Sequence, residues 1–470
     1  MNALKRLYRR QEVIPSCKTF ATSQWTSFLH FRSDLLRNNF MARTIAMLSV
    51  HPSRGLVDEK FRVEVENLPP ACPVTLHCLH RSEDQDHWEA FGHYCSDHSG
   101  TVKVSEDESL GGTYSGREHM GLLWSMRPVP GSRRGLRLRK THVDVPMTLL
   151  ISVYRGHLTA GFRELPPVAS VVAERWYMAP GVKRIAVEER GVTGTFFIPP
   201  GPGPFPGVLD MWGGGGGLVE YRSALLASRG LASMALKYID PGDTPTDMRM
   251  GYFETAFQII QDHPQVISDR VGILGLSFGT SVALTVAAYS QISRPRCCVG
   301  ISGSHAYPIN RPVAELFGEM GMNEEKMKRD EEDNVIMRNL ILPIATDPAK
   351  KVDVGRIECP LLLVNGDDDQ NWATTESAED IANMMSVAGN KHLLTTLTYP
   401  KAGHLIEPPF TPHIRASNFI VQHSKEKVIM LWGGEPKGHA VAQEDSWKRI
   451  LNFLKEHLCI EPTLVPQAKL

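Results

Sequence analysis

Gly275-Leu276-Ser277-Phe278-Gly279 sets a serine hydroxyl between two glycines. The apolar run Val271-Gly-Ile-Leu precedes it, and the helix-compatible run Thr280-Ser-Val-Ala-Leu-Thr-Val-Ala-Ala follows. A bare G-x-S-x-G arises often as an ordinary glycine-rich turn. Between an apolar strand and a helix, however, it describes a turn so tight that side chains at Gly275 and Gly279 would strike neighbouring backbone, which leaves Ser277 exposed at the strand's end as a nucleophile.

A serine hydroxyl at its ordinary pKa attacks poorly, so a histidine must take its proton and an acid must hold that histidine in the right tautomer. The chain order expected for this type of turn is serine, acid, histidine. After the apolar run Pro360-Leu-Leu-Leu-Val comes Asn365-Gly366-Asp367-Asp368-Asp369, which offers three candidate acids at the end of a strand. After the next strand, around Leu393 to Tyr399, Pro400-Lys-Ala-Gly403-His404 puts a histidine on a turn. His439, ahead of the final helix, is its rival, and position directly after the strand favours His404.

The run Trp212-Gly213-Gly214-Gly215-Gly216-Gly217 can present bare backbone N–H groups. Gly213 or Gly214, together with Phe278 after the nucleophile, would supply the two donors of an oxyanion hole. A phosphate cradle is the competing use of such a run, but the G-x-x-x-x-G-K-[ST] pattern is absent.

These residues need a scaffold that delivers them to one edge. Apolar strands are expected at Gly207 to Met211, Leu231 to Leu236, Val271 to Leu274, Cys298 to Ile301 and Pro360 to Val364. Helical patterns lie between them, including Met250 to Gln261 and Thr280 to Tyr289. That order predicts a mostly parallel α/β domain of the α/β-hydrolase class over residues 180–460. The rigid stretch Pro199 to Pro206 lies near its start. Residues 45–175 instead give short alternating runs such as Phe61-Arg-Val-Glu-Val and Val74-Thr-Leu-His-Cys, punctuated by Pro and Gly, which predicts a small N-terminal β-sandwich. Within it, Arg127 to Lys140 reads as a solvated, charged hairpin. Arg133, Arg134 and Arg137 are the residues there that could meet a phosphate-bearing ligand.

The 470 residues allow two domains, and 51 Lys and Arg against 52 Asp and Glu remove the electrostatic case for nucleic acid as a partner. The eight cysteines show no paired metal spacing, so they are expected to be reduced thiols in an intracellular compartment, with no metal bound. No apolar run is long enough for a transmembrane helix. Residues 1–40 carry Lys5, Arg6, Arg9, Arg10, Lys18, Arg32 and Arg37 against only Glu12 and Asp34, which predicts a mitochondrial presequence or, failing that, a disordered extension. The tail 461–470 ends in Ala468-Lys469-Leu470, close to a peroxisomal address; that signal would act best on a product begun at Met41.

From about Met41 onward the chain resembles the type I acyl-CoA thioesterase and bile acid-CoA:amino acid N-acyltransferase family. The likeness is carried by Asp210-Met-Trp-Gly-Gly-Gly-Gly-Gly-Leu-Val-Glu-Tyr-Arg222, Gly366-Asp-Asp-Asp-Gln-Asn-Trp372, Gly403-His404-Leu-Ile-Glu-Pro-Pro408 and Trp432-Gly-Gly-Glu-Pro436. It implies a β-sandwich followed by an α/β-hydrolase domain. It also implies Asp369 as the acid, His404 as the base, His439 as a structural residue and a small-molecule acyl-CoA substrate. Coenzyme A is part of that substrate, and no metal or redox cofactor is implied. In the family serine accompanies thioester hydrolysis and cysteine accompanies transfer to glycine or taurine, so Ser277 implies a thioesterase that releases a fatty acid and coenzyme A. The alternatives are an acyl-CoA:amino acid N-acyltransferase that kept serine and a carboxylesterase of the same fold. Phe278 and Thr280 depart from the more usual Lys and Gly at those places, which leaves the acyl preference open.

Overall fold

The computed structural model describes residues 45–239, 249–309, 312–421 and 424–459. The expected presequence and the Ala-Lys-Leu end lie outside the described residues.

The first part is built from two sheets. One holds six strands in the order Arg54–Leu56, Ala169–Trp176, Met147–Arg155, Pro73–Arg81, His87–Cys95 and Arg127–Pro128. The other holds Met47–His51, Arg62–Glu66 and Val102–Lys103. In Arg62–Glu66, Val63 and Val65 turn inward while Arg62 and Glu66 are exposed, the period-2 alternation of a half-buried strand. These valines join Leu76, Trp88, Leu149 and Ile151 in one core.

An eight-stranded sheet follows, in the order Lys183–Glu189, Val192–Ile198, Ala232–Lys237, Phe205–Met211, Val266–Leu276, Cys298–Ile301, Leu361–Gly366 and Leu394–Tyr399. The first two pairings are antiparallel and the rest parallel. This is the α/β-hydrolase sheet. Its central strands read as unbroken apolar runs because both faces are covered. Leu361 and Leu363 pack into one layer, whereas Leu362 and Val364 pack into the layer on the opposite face. The five expected strands and the two expected helices are present, with ends displaced by a few residues. The opening hairpin, Lys183–Glu189 with Val192–Ile198, was not among the expected strands.

A four-stranded sheet, Lys328–Arg329, Val335–Ile336, Lys427–Leu431 and Ala416–Ile420, is a further element that the sequence pattern did not give. The last helix, Pro436–Leu458, begins earlier than expected, so His439 lies in its first turn rather than ahead of it. Among the described residues no helix is long and apolar enough to cross a membrane.

Candidate active site

Ser277 stands where strand Val266–Leu276 gives way to helix Phe278–Tyr289, at φ 58° and ψ −123°. A non-glycine residue held there costs about 1–3 kcal/mol, so the surroundings must fix it. They do so by crowding. A Cβ on Gly275 would lie 2.1 Å from the Gly279 carbonyl oxygen, and one on Gly279 would lie 2.6 Å from those of Met211 and Trp212. The Ser277 N–H donates to the Ile301 carbonyl at 2.8 Å. Thr280 donates to the carbonyls of Gly275 and Ile301, each at 3.1 Å, so the residue that departs from the family wording braces the turn.

The serine Oγ lies 2.9 Å from His404 Nε2, and His404 Nδ1 lies 2.8 Å from Asp369 Oδ2. All three residues are buried. The other Asp369 oxygen accepts the N–H groups of Asn371 and Trp372, each at 2.8 Å. Two backbone N–H groups thus anchor one carboxylate oxygen and aim the other at His404. With an acceptor at Nδ1, the tautomer that carries its proton there leaves Nε2 to accept from the hydroxyl. Asp367 and Asp368 do other work. Asp367 accepts from the Lys401 N–H at 2.6 Å, and Asp368 from the Gly434 N–H at 2.7 Å.

The histidine is fixed from several sides. Its N–H donates to the Trp432 carbonyl at 2.9 Å, and its ring stacks on that of Trp432 at 5.7 Å with an interplanar angle of 16°. His439 Nδ1 accepts the Gly403 N–H at 3.1 Å, and its Nε2 lies 2.8 Å from the Leu405 carbonyl. The former rival is therefore a clamp on both flanks of His404. Burial first, then the neighbouring His413, pulls the His439 pKa down to about 3, so the clamp is uncharged.

Gly213 covers the serine. A Cβ on Gly213 would lie 2.9 Å from Ser277 Cβ and 3.3 Å from its Oγ, so only glycine fits. Gly214 lies a little further off, where a Cβ would stand 3.8 Å from that of Phe278. Phe278 opens its helix, and its N–H is one of the first four that have no intrahelical acceptor. Gly216 and Gly217, at φ 68° and 83°, turn the loop back, and the Gly217 N–H donates to the Ile239 carbonyl at 2.7 Å.

A buried polar frame carries this loop. Asp210 pairs with Arg222 and accepts from Ser223 at 2.8 Å; Arg222 also reaches the Met211 carbonyl at 3.0 Å. The Trp212 ring lies 5.6 Å from the guanidinium carbons of both Arg137 and Arg222. Glu407, three positions after His404, accepts from the Tyr221 hydroxyl at 2.6 Å and pairs with Arg137.

Around Ser277 lies a cavity of about 220 Å³. Phe278, Phe317, Met320, Met337 and Phe419 give it an apolar wall, and Arg137, Arg139 and Lys140 line it from the sandwich side. The expected trio of phosphate contacts does not converge here. Arg137 reaches the cavity, but its side chain is only 9% exposed and is committed to Glu407, so it is not part of a solvated hairpin. Burial works against its charge, yet Glu407 offsets this and leaves its pKa above the usual arginine value. Arg133, paired with Asp86 at 2.8 Å, and Arg134, donating to the Glu332 carbonyl at 3.1 Å, line a different cavity. The sequence did not single out Tyr221, Glu407 or Trp432, although all three sit inside the quoted runs, because residue type alone does not disclose a pairing.

Residues 248–460 match the family described as BAAT / Acyl-CoA thioester hydrolase C terminal. Residues 58–189 match the one described as Acyl-CoA thioester hydrolase/BAAT N-terminal region. The chain is 38% identical over 423 residues to the peroxisomal succinyl-coenzyme A thioesterase of Mus musculus, covering 88% of this chain and 97% of that protein. It is 37% identical over 428 residues to the mitochondrial acyl-coenzyme A thioesterase 2 of the same species, covering 89% and 90%. It is 35% identical over 419 residues to acyl-coenzyme A thioesterase 1 of Homo sapiens, covering 88% and 97%.

Proposed function

The chain belongs to the BAAT/acyl-CoA thioester hydrolase family, and from that premise we propose that Ser277, His404 and Asp369 hydrolyse an acyl-CoA through an acyl-enzyme. The enzyme is a hydrolase acting on acyl-CoA thioesters. The observation that carries the mechanism is the continuous chain from Ser277 Oγ through His404 to Asp369, with contacts of 2.9 and 2.8 Å.

In the first half-reaction His404 Nε2 takes the hydroxyl proton as Ser277 Oγ attacks the thioester carbonyl. Negative charge moves to the carbonyl oxygen, where the N–H groups of Phe278 and of Gly213 or Gly214 stabilise it. Asp369 offsets the charge of the imidazolium. The tetrahedral species collapses, the C–S bond breaks, and His404 returns the proton to the departing sulfur, which gives free coenzyme A and a Ser277 ester. Water then enters, loses a proton to His404, attacks the ester and releases the carboxylic acid and the restored serine. Nothing in this sequence needs a redox partner.

The test is free-thiol release from a panel of acyl-CoA esters by wild type and Ser277→Ala, with glycine and taurine present or absent. Release that disappears in the variant, with no amide product, supports the mechanism. Amide formation would move the chain to the transferase branch of its family.

Relatives of this chain include a peroxisomal and a mitochondrial protein. The basic residues 1–40 favour the mitochondrial matrix for the full chain, and Ala468-Lys469-Leu470 favours the peroxisome for a product begun at Met41. Imaging with either end masked separates the two: loss of mitochondrial signal without residues 1–40 is the expected result.

A further inference from the structure

The cationic wall of the catalytic cavity is unevenly compensated. Arg137 pairs with Glu407, and Lys140 pairs with Glu83 at 2.6 Å. Arg139, between them, is exposed and makes no ion pair or hydrogen bond among the described residues. Arg137 and Lys140 are thus each committed to a bonded carboxylate, whereas Arg139 feels Glu407 and Asp84 only at longer range and its guanidinium has no bonded partner. Its pKa is lowered, first by the charge of the neighbouring Arg137. Arg139 and Lys140 also line a second cavity of about 180 Å³, which His80, Arg81, Tyr177 and Phe410 help to enclose. The two cavities therefore adjoin at these residues.

We propose that Arg139 is the receptor for a phosphate of the coenzyme A portion of the substrate, a role that rests on the acyl-CoA hydrolysis proposed above. A guanidinium presents a planar fork of donors that suits phosphate oxygens, and an unpaired one gains most from them. The oxyanion it receives has two possible sources within an acyl-CoA: a phosphate of the carrier, or a carboxylate at the far end of the acyl chain. The cavity favours the phosphate. Phe278, Phe317, Met320 and Phe419 give the acyl chain an apolar wall separate from the cationic one. The second cavity beyond Arg139 gives the rest of the carrier room to continue. Arg139 also replaces Arg133 and Arg134, which line another cavity, as the residue of the Arg127 to Lys140 segment that meets the carrier.

The experiment compares kcat/KM for a straight-chain acyl-CoA, and for one whose acyl chain ends in a carboxylate, with kcat/KM for the same acyl groups on N-acetylcysteamine, which carries the thioester but no phosphate. Wild type, Arg139→Gln, Arg139→Lys and Arg133→Gln are measured side by side. Because Arg139 is exposed and unpaired, its substitution leaves no buried partner stranded. The ratio of the two constants is expected to fall about tenfold or more in Arg139→Gln, the loss of a charge-assisted hydrogen bond. Most of that loss should return in Arg139→Lys. An unchanged ratio in Arg139→Gln, or a fall in Arg133→Gln instead, would overturn the assignment. A deficit confined to acyl-CoA esters that end in a carboxylate would overturn it in favour of the acyl chain. Silence of wild type on every acyl-CoA would remove the hydrolysis mechanism and this assignment together, whereas wild-type turnover with an unchanged ratio removes the assignment alone.

Discussion

The Tyr221 hydroxyl donates to Glu407 at 2.6 Å and thereby ties the helix behind the glycine loop to the segment that carries His404. Arg137, from the sandwich, closes the same contact from the other side. The two loops that must meet at Ser277 are thus held in register by one carboxylate, and that carboxylate is neutralised by a residue 270 positions earlier in the chain. Burial first, then Glu407, pushes the Tyr221 pKa well above its ordinary value, which keeps the phenol proton in place as the donor to Glu407.

Removing one partner of this buried pair should cost more than removing both. Arg137→Met leaves the Glu407 charge uncompensated, at a cost of about 3–5 kcal/mol, whereas Arg137→Met with Glu407→Leu should recover much of that loss. Denaturant unfolding of the two singles and the double checks this, and additive losses would show that the pair is not coupled.

Ser277→Ala should abolish turnover while leaving thermal stability near wild type. The hydroxyl makes its one strong contact with His404, and alanine fits the same turn. Acyl-CoA hydrolysis is expected to fall by about 10⁴-fold or more. Retained turnover would identify another nucleophile.

Asp369→Asn tests the tautomer. The amide can still accept from the N–H groups of Asn371 and Trp372, but it would turn its NH₂ toward Nδ1 and so favour the proton on Nε2. A loss of kcat of the order of 10⁴-fold is expected, with a much smaller change in KM. Asp367→Asn and Asp368→Asn should keep most of the turnover, and the three rates measured together check the assignment.

Gly213→Ala places a methyl group 2.9 Å from Ser277 Cβ, so either the glycine loop or the serine must shift. A displaced oxyanion donor typically costs about 10²–10³ in kcat. Because the loop lies at the cavity, the melting temperature should change little; a large drop would mean that the loop is needed for folding as well.

The pH dependence follows from His439. Its folded-state pKa is lowered to about 3, below the ordinary value of 6.5, so the unfolded chain binds the proton that the folded one refuses. Stability from this residue is complete above pH 6.5 and is lost as pH falls from 6.5 toward 3. Melting temperature measured over that range should decline less steeply in His439→Gln than in wild type. Parallel slopes would count against the histidine as the cause.

Strands such as Leu361–Gly366 were legible in sequence because helices cover both faces, and a run of four apolar residues bounded by turn residues has few other uses. The turn at Ser277 was legible because its glycines stand where nothing larger fits. Val335–Ile336 and its neighbours were not legible, since a two-residue strand carries no period. The hairpin Lys183–Glu189 with Val192–Ile198 was hidden by a mostly exposed first strand with one buried residue, Val187. The charge run around Arg137 predicts a solvated side chain, as charge runs usually do; its partner is far off in the chain, and no local pattern announces it.

The crowding around Ser277 also bears on how such an enzyme can diverge. Gly213, Gly275 and Gly279 each face backbone or Ser277 itself at distances that crowd out a side chain, so a single substitution there is lost before it can be improved. Phe317, Met320, Met337 and Phe419 face open volume instead, and methionine in particular tolerates exchange. New acyl preferences should therefore accumulate on the far wall of the cavity, as successive exchanges among bulky apolar residues, while the serine's immediate neighbourhood stays fixed from one descendant to the next.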